Sequence, residues 1–257
     1  MPSMLMLALA LALALLIGIS LGLLGGGGSI LTLPILTYAI GMETRSAIAA
    51  SLFVVGVTSA IGAIAHARAG RIRWRTGLLF GVAGMLGAFI GGRLAAFVPG
   101  DVLLILFAGM MIATAIAMLR RPRLPAGGTP LPAHELPAGK VLIEGGLVGA
   151  VTGLVGAGGG FLVVPALVLL GRLPMRIAIG TSLVVIAMKS FAGLAGHLTH
   201  VDVDWPITLA VTAAAILGSL AGGRLAGRIP ADALRRGFGV FVLAMAGLVL
   251  AGPLGLI

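Results

Sequence analysis

The sequence predicts an all-α polytopic membrane protein with two inverted-topology repeats, each a glycine-broken helical hairpin followed by three transmembrane helices. Composition is the first observation behind this. Hydrophobic residues make up 60% of the 257-residue chain and charged residues 9%, with a mean hydropathy of +1.21, whereas globular domains carry about 25% charged residues. Duplication is the second: Gly25, Gly27, Gly28 and Pro34 recur 131 residues later as Gly156, Gly158, Gly159 and Pro165. Charge is the third, because equivalent loops of the two copies have opposite charge character.

The duplication holds one register without a gap. It pairs Arg45 with Arg176, Ser51 with Ser182, His66 with His197 and Trp74 with Trp205. It also pairs Gly91-Gly92-Arg93-Leu94-Ala95 with Gly222-Gly223-Arg224-Leu225-Ala226, and Pro99 and Asp101 with Pro230 and Asp232. Chance similarity between apolar stretches yields matched Leu and Ala, not matched His, Trp, Arg, Pro and Asp. Internal repeats of this kind are a common construction of secondary transporters.

In chain order the apolar stretches cover 4–24, 47–65, 77–98, 102–119, 141–155, 177–198, 207–225 and 237–251. Most approach the roughly 20 residues that carry an α-helix across about 30 Å of hydrocarbon. They are apolar on every side, which excludes the alternation of a transmembrane β-barrel. The opening Leu/Ala run lacks the basic start of a signal peptide, and its repeat mate 141–155 lies mid-chain, so both are read as membrane segments. The first membrane repeat spans 1–119 and the second 140–257. Between them, 120–139 is a polar linker with Pro122, Pro125, Pro130, Pro132 and Pro137, which oppose a helix.

Orientation follows from the basic loops, which stay cytoplasmic. The loop holding Arg68, Arg71, Arg73 and Arg75 is assigned inside, as is the linker that starts Arg120-Arg121-Pro122-Arg123. The counterpart of the first loop holds His200, Asp202 and Asp204 and is assigned outside, while the connection with Arg224, Arg228, Arg235 and Arg236 is inside. Equivalent loops on opposite faces make the repeats inverted, and each half then has an odd number of crossings. Three crossings are clear per half, so the leading units 4–40 and 141–171 must enter and leave on one side. Each has a terminal run of about 11 residues, about 16 Å of helix, too short to span. Either a re-entrant hairpin or a full helix followed by a broken one satisfies the parity. Both termini are expected outside. The net charge of +10 is explained by this topology, and nucleic acid is not an expected partner.

The glycine breaks carry the expected chemistry. An unpaired amide in hydrocarbon costs several kcal/mol, so a break at depth is tolerated only where it is buried in protein or lines a cavity. The expected anion site is formed by Gly25, Gly27, Gly28, Ser29 and Ile30 with Gly156, Gly158, Gly159, Gly160 and Phe161, where N–H groups of short helices point back at the breaks. Close packing is the bland alternative for such glycines. Lys189, a cation within an apolar segment, is suited to neutralise a bound anion, and its repeat mate is Thr58; snorkelling or pairing with Glu144 is the alternative. Ser51, Thr181 and Ser182 offer hydroxyls for oxyanion oxygens, or for bonds back to their own helices. His66 and His197 read as structural or interfacial, and Trp74 and Trp205 as interfacial anchors. The chain has no cysteine, its four histidines are scattered, and no nucleotide-binding motif is present, so neither a metal nor a cofactor is expected.

At Gly25-Gly-Gly-Gly-Ser-Ile-Leu-Thr-Leu-Pro34 and Gly156-Ala-Gly-Gly-Gly-Phe-Leu-Val-Val-Pro165 the chain resembles the TauE/SafE family of sulfite and organosulfonate exporters. Pro174-Met-Arg-Ile-Ala-Ile-Gly-Thr-Ser-Leu183 and Gly196-His-Leu-Thr-His-Val-Asp-Val-Asp-Trp205 support the resemblance. The first half departs from it at Ala49-Ala50-Ser51, where the second has Gly180-Thr181-Ser182. The resemblance implies a permease for small sulfur-containing anions, usually an exporter, in a bacterial cytoplasmic (inner) membrane. The partners expected are a small anion and the lipid bilayer, and glycine on helix faces suits a homodimer as well as internal packing. An anion channel with the same site, or a permease for another small oxyanion or carboxylate, is the alternative, and an enzyme or accessory subunit is disfavoured because the chain offers no catalytic carboxylates or histidine–metal cluster.

Overall fold

The computed structural model describes residues 4–26, 28–95, 97–120, 138–155, 160–169, 173–198, 201–226 and 228–251. These residues are all-helical, with no strand among them. In order they form α1 (Met4–Leu24), α2 (Gly28–Pro34, widening into a π-helical turn over Ile35–Ala39), α3 (Thr44–Arg68), α4 (Trp74–Ala95) and α5 (Gly100–Arg120). The second half forms α6 (Ala138–Val155), α7 (Gly160–Leu169), α8 (Met175–His197), α9 (Trp205–Ala226) and α10 (Ala231–Ala251). Five of these helices, α3, α4, α8, α9 and α10, are long and apolar enough to cross a membrane over their described residues. The described apolar part of α5, Ile105–Arg120, is shorter, so five of the six clear crossings expected from sequence meet that measure. The chain is a multi-pass membrane protein. The expected linker 120–139 lies outside the described residues except for its ends.

The duplication reaches the helix boundaries. α8 begins 131 residues after α3, α9 begins and ends 131 residues after α4, and α10 does the same relative to α5. Local bonds repeat too. Met42 N–H donates to the Leu36 carbonyl and Leu173 N–H to that of Leu167, each at 3.0 Å; Leu103 N–H donates to the Pro99 carbonyl and Leu234 N–H to that of Pro230, each at 3.1 Å. Pro34 inside α2 has no N–H to give, and the helix after it opens to the wider π spacing, with Ile40 N–H reaching the Ile35 carbonyl at 3.1 Å. Asp204 caps α9, its Oδ1 accepting from Ile207 N–H at 3.2 Å. Trp74 and Trp205 are both exposed where α4 and α9 begin.

The halves are interlocked. α1 runs alongside α9 and α6 alongside α4, in each case parallel, because both contact ladders advance in the same direction. Gly18 meets Ala215 and Ser219 while Gly22 meets Ser219 and Gly223; Gly87 meets Gly146 and Ala150 while Gly91 meets Ala150 and Leu154. A side chain at any of these glycines would collide with a backbone carbonyl of the facing helix. α3 and α8, by contrast, cross antiparallel, Gly56 lying on Ser190 and Phe191, and Gly193 on Leu52.

The contacts also fix how the chain returns after α1. Gly25 lies against Ile179 and Ser182 near the start of α8, yet Thr44 and Arg45 share a pocket with His197 at its other end. The stretch between them therefore runs back along α8 instead of continuing in the direction of α1.

The glycine contacts make a stability prediction. Gly87→Ala should destabilise the folded protein by about 1–3 kcal/mol, because its methyl meets backbone that cannot move aside. Gly109→Ala on α5, where an added Cβ has nothing within 4 Å, should leave stability unchanged. Thermal unfolding of the two variants in detergent checks the contrast.

Candidate functional site

The first break is a local consequence of Gly25. Its N–H still closes the last turn of α1 on the Leu21 carbonyl at 2.8 Å, but its φ of +74° turns the chain into a conformation that L side chains rarely adopt. Gly26 N–H then bonds the Leu24 carbonyl at 3.0 Å, and the Gly26 carbonyl accepts both Ser29 N–H at 3.3 Å and Ser29 Oγ at 2.7 Å. The Ser29 groups expected to point at the break are thus engaged within it. Ile30, fully buried, is an apolar wall beside it.

The breaks of the two halves meet. A Cβ on Gly160, the first residue of α7, would lie 2.9 Å from Ser29 Oγ, 3.2 Å from the Gly26 Cα and 2.9 Å from the Ile186 methyl of α8. Ser29 and Gly160 are repeat mates, so the junction has room for one side chain, and Ser29 supplies it. Gly28 opens α2, and Phe161 follows Gly160 in α7. Gly27, Gly156, Gly158 and Gly159 lie outside the described residues.

The expected hydroxyls divide. Ser51 Oγ donates to the Ile48 carbonyl at 2.8 Å and Ser182 Oγ to the Ile179 carbonyl at 2.7 Å, the same bond in both halves. Ser182 also faces Gly25, where an added Cβ would be 2.8 Å from its oxygen. Thr181 is turned away from the breaks toward the basic loop, its Oγ1 accepting Arg73 N–H at 2.9 Å.

Lys189 is 1% exposed, so burial is complete and snorkelling does not occur. Its Nζ donates to Thr152 Oγ1 at 3.1 Å, and that hydroxyl donates to the Gly149 carbonyl at 3.1 Å. Its stem lies over Gly84, where a Cβ would stand 2.8 Å from Lys189 Cδ. Glu144 pairs with Lys140 at 3.7 Å. Ser182, Ile186 and Lys189 follow one another at turn spacing on α8, so one face passes from the first break, past the junction, to the lysine.

The family model for the sulfite exporter TauE/SafE matches residues 10–249. The chain belongs to the TauE/SafE family. A probable membrane transporter protein of Xylella fastidiosa (strain Temecula1) is 38% identical over 234 residues, covering 88% of each chain. The probable membrane transporter protein YdhB of Bacillus subtilis is 29% identical over 238 residues, covering 90% of this chain and 95% of its own. A probable membrane transporter protein of Methanocaldococcus jannaschii is 30% identical over 183 residues, covering 69% and 67%. No solved structure matches.

In this TauE/SafE protein the lysine niche is one-sided. The repeat mates of Lys189, Thr152 and Gly84 are Thr58, Leu21 and Ala215, so the copy lacks the cation, its hydroxyl acceptor and the vacancy for its stem. Sequence reasoning noticed Lys189 alone; comparing the mates of its neighbours would have exposed the niche, but which residues are neighbours is set by packing. It also missed the hydroxyls of Thr58, Ser59 and Ser190, which are buried on α3 and α8 without hydrogen-bond partners among the described residues. Ser59 and Ser190 are repeat mates, which was the available signal, and buried polar groups without partners call for an explanation.

Replacing Thr152 by Val removes an acceptor of the Lys189 ammonium and should cost roughly 1–3 kcal/mol, whereas Thr152→Ser keeps the oxygen and should cost clearly less. Parallel thermal melts of the two variants without added anion test this.

Proposed function

We propose that this TauE/SafE protein is a secondary transporter that exports small sulfur-containing anions such as sulfite or organosulfonates, by alternating access of two inverted repeats around the junction of their breaks. The observation that carries this reading is the buried Lys189 on the α8 face that passes Gly25 and Gly160. A buried ammonium in a membrane interior is costly, and a small anion at the junction offsets that cost. The nearby hydroxyls of Thr58, Ser59 and Ser190 add polarity where an oxyanion exchanges its water shell.

The antiparallel crossing of α3 and α8 supports the inverted relation, as does the exchange of partners by α1 and α6. With the Arg68–Arg75 loop on the cytoplasmic face, both termini lie outside, in a bacterial inner membrane. Alternating access then exposes the junction to either side, and because the halves are interlocked the moving bodies are groups of helices drawn from both repeats. Binding and release of an anion need no covalent step, so the protein is read as a carrier and not an enzyme.

The test is thermal stabilisation of the purified protein by sulfite, thiosulfate, sulfoacetate, taurine, sulfate, chloride and acetate. A ligand at a hundred times its Kd stabilises by about 2.7 kcal/mol, so sulfite or a sulfonate should raise the melting temperature selectively. Lys189→Met, which keeps the length and removes the charge, should melt no lower than wild type without anion and should lose the shift. A full shift in that variant removes Lys189 from the site, and no shift with any sulfur anion sinks the substrate assignment.

A further inference from the structure

A second feature lies well away from the junction, at the end of the molecule opposite the Arg68–Arg75 loop. There the start of α3, the ends of α4 and α8 and the turn before α5 enclose a pocket lined by Thr44, Arg45, Gly92, Leu103, His197 and Val201, among others. Two of these are cationic or able to become so. Among the described residues, the Arg45 guanidinium has no hydrogen bond or ion pair. Its repeat mate, Arg176, is engaged, Nη2 donating to the Ile229 carbonyl at 3.3 Å; the corresponding residue on the Arg45 side, Val98, only lines the pocket.

His197 is 8% exposed, and its ring is held from two sides. Nδ1 lies 2.9 Å from the Gly193 carbonyl, which places the hydrogen on that nitrogen. Gly92 leaves the ring its space, since a Cβ there would be 3.1 Å from His197 Cε1. The remaining nitrogen, Nε2, has no protein partner among the described residues. A fixed, nine-tenths buried imidazole and an unpaired guanidinium thus share one pocket whose other walls are mostly apolar.

We propose that this pocket is a second anion site, an outer vestibule that takes one small oxyanion. The fork of Arg45 binds two oxygens of the anion. His197 Nε2 accepts the O–H of an anion that keeps one acidic proton, such as hydrogensulfite, or donates once protonated. The Arg176 side differs in that its arginine is tied to backbone, so the vestibule belongs to one end of the duplicated fold. The site rests on the transporter reading only for its role as a place where the cargo pauses; its existence rests on the pocket.

The experiment is calorimetric titration of the full-length protein with sulfite, in nanodiscs of phosphatidylcholine alone and of phosphatidylcholine with phosphatidylglycerol. Wild type should show two sites. Arg45→Gln, at an exposed position, should weaken one of them about tenfold or more and leave the other intact. His197→Gln should weaken the same one, and Lys189→Met should remove the other. A wild type with a single site that Arg45→Gln and His197→Gln do not alter, but Lys189→Met abolishes, overturns the vestibule and leaves the central reading standing. A single site lost in Arg45→Gln and kept in Lys189→Met supports the vestibule and overturns the central site. No sulfite binding at all overturns both. If Arg45→Gln changes only the stabilisation given by phosphatidylglycerol and no sulfite binding, the pocket holds a lipid headgroup and the proposal fails.

Discussion

Backbone contact through glycine, between the first helix of each half and the fourth helix of the other, is the constraint on which the rest of this structure depends. In lipid there is no hydrophobic gain from hiding one apolar helix against another, so association relies on close packing and on the backbone approach that small residues permit. Gly18 and Gly22 of α1 face Ala215, Ser219 and Gly223 of α9, and Gly145, Gly149 and Gly153 of α6 face Phe80, Gly84 and Ala88 of α4. Because α1 and α6 are held this tightly, their ends are held too, and those ends are where the chain breaks. The junction of Gly26, Ser29 and Gly160 is therefore positioned by glycine contacts along the neighbouring helices.

The duplication supplies a frame, and the departures from it supply chemistry. Gly84 serves two purposes: its backbone packs on Gly149, and its missing side chain leaves space for the Lys189 stem. Ala215, its mate, leaves no such space. At the junction one serine fills the room shared by two equivalent positions.

Much of the fold was legible in the sequence, and the reason is physical. Spanning a bilayer demands long apolar runs, and duplication demands a single offset, so the starts of α3, α4 and α5 recur in the expected register as those of α8, α9 and α10. The choice left open by crossing parity was not legible, because it depends on where α1 ends relative to α8, a matter of packing. Of the candidate site, Lys189 and the breaks were legible as anomalies, a charge and runs of glycine within an apolar sequence. Thr181 and Ser182 are adjacent and chemically alike, yet one turns to the Arg73 amide and the other to Gly25. The angle of 100° per residue around a helix separates them, and which direction faces the breaks is decided by the neighbours. The Thr152 partner of Lys189 comes from a helix 37 residues earlier and leaves no local mark.

The interlocking also sets an order of assembly. α1 emerges first, but the surface that accepts its glycine face, on α9, is made about two hundred residues later. Until then α1 waits in the bilayer with that face bare, while α6 finds α4 already in place. The second half can thus dock on the first as it is synthesised, while α1 is enclosed only when α9 arrives and α5 only when α10 does. A chain cut short before α9 would keep the α4–α6 pair but leave the glycine face of α1 unclaimed.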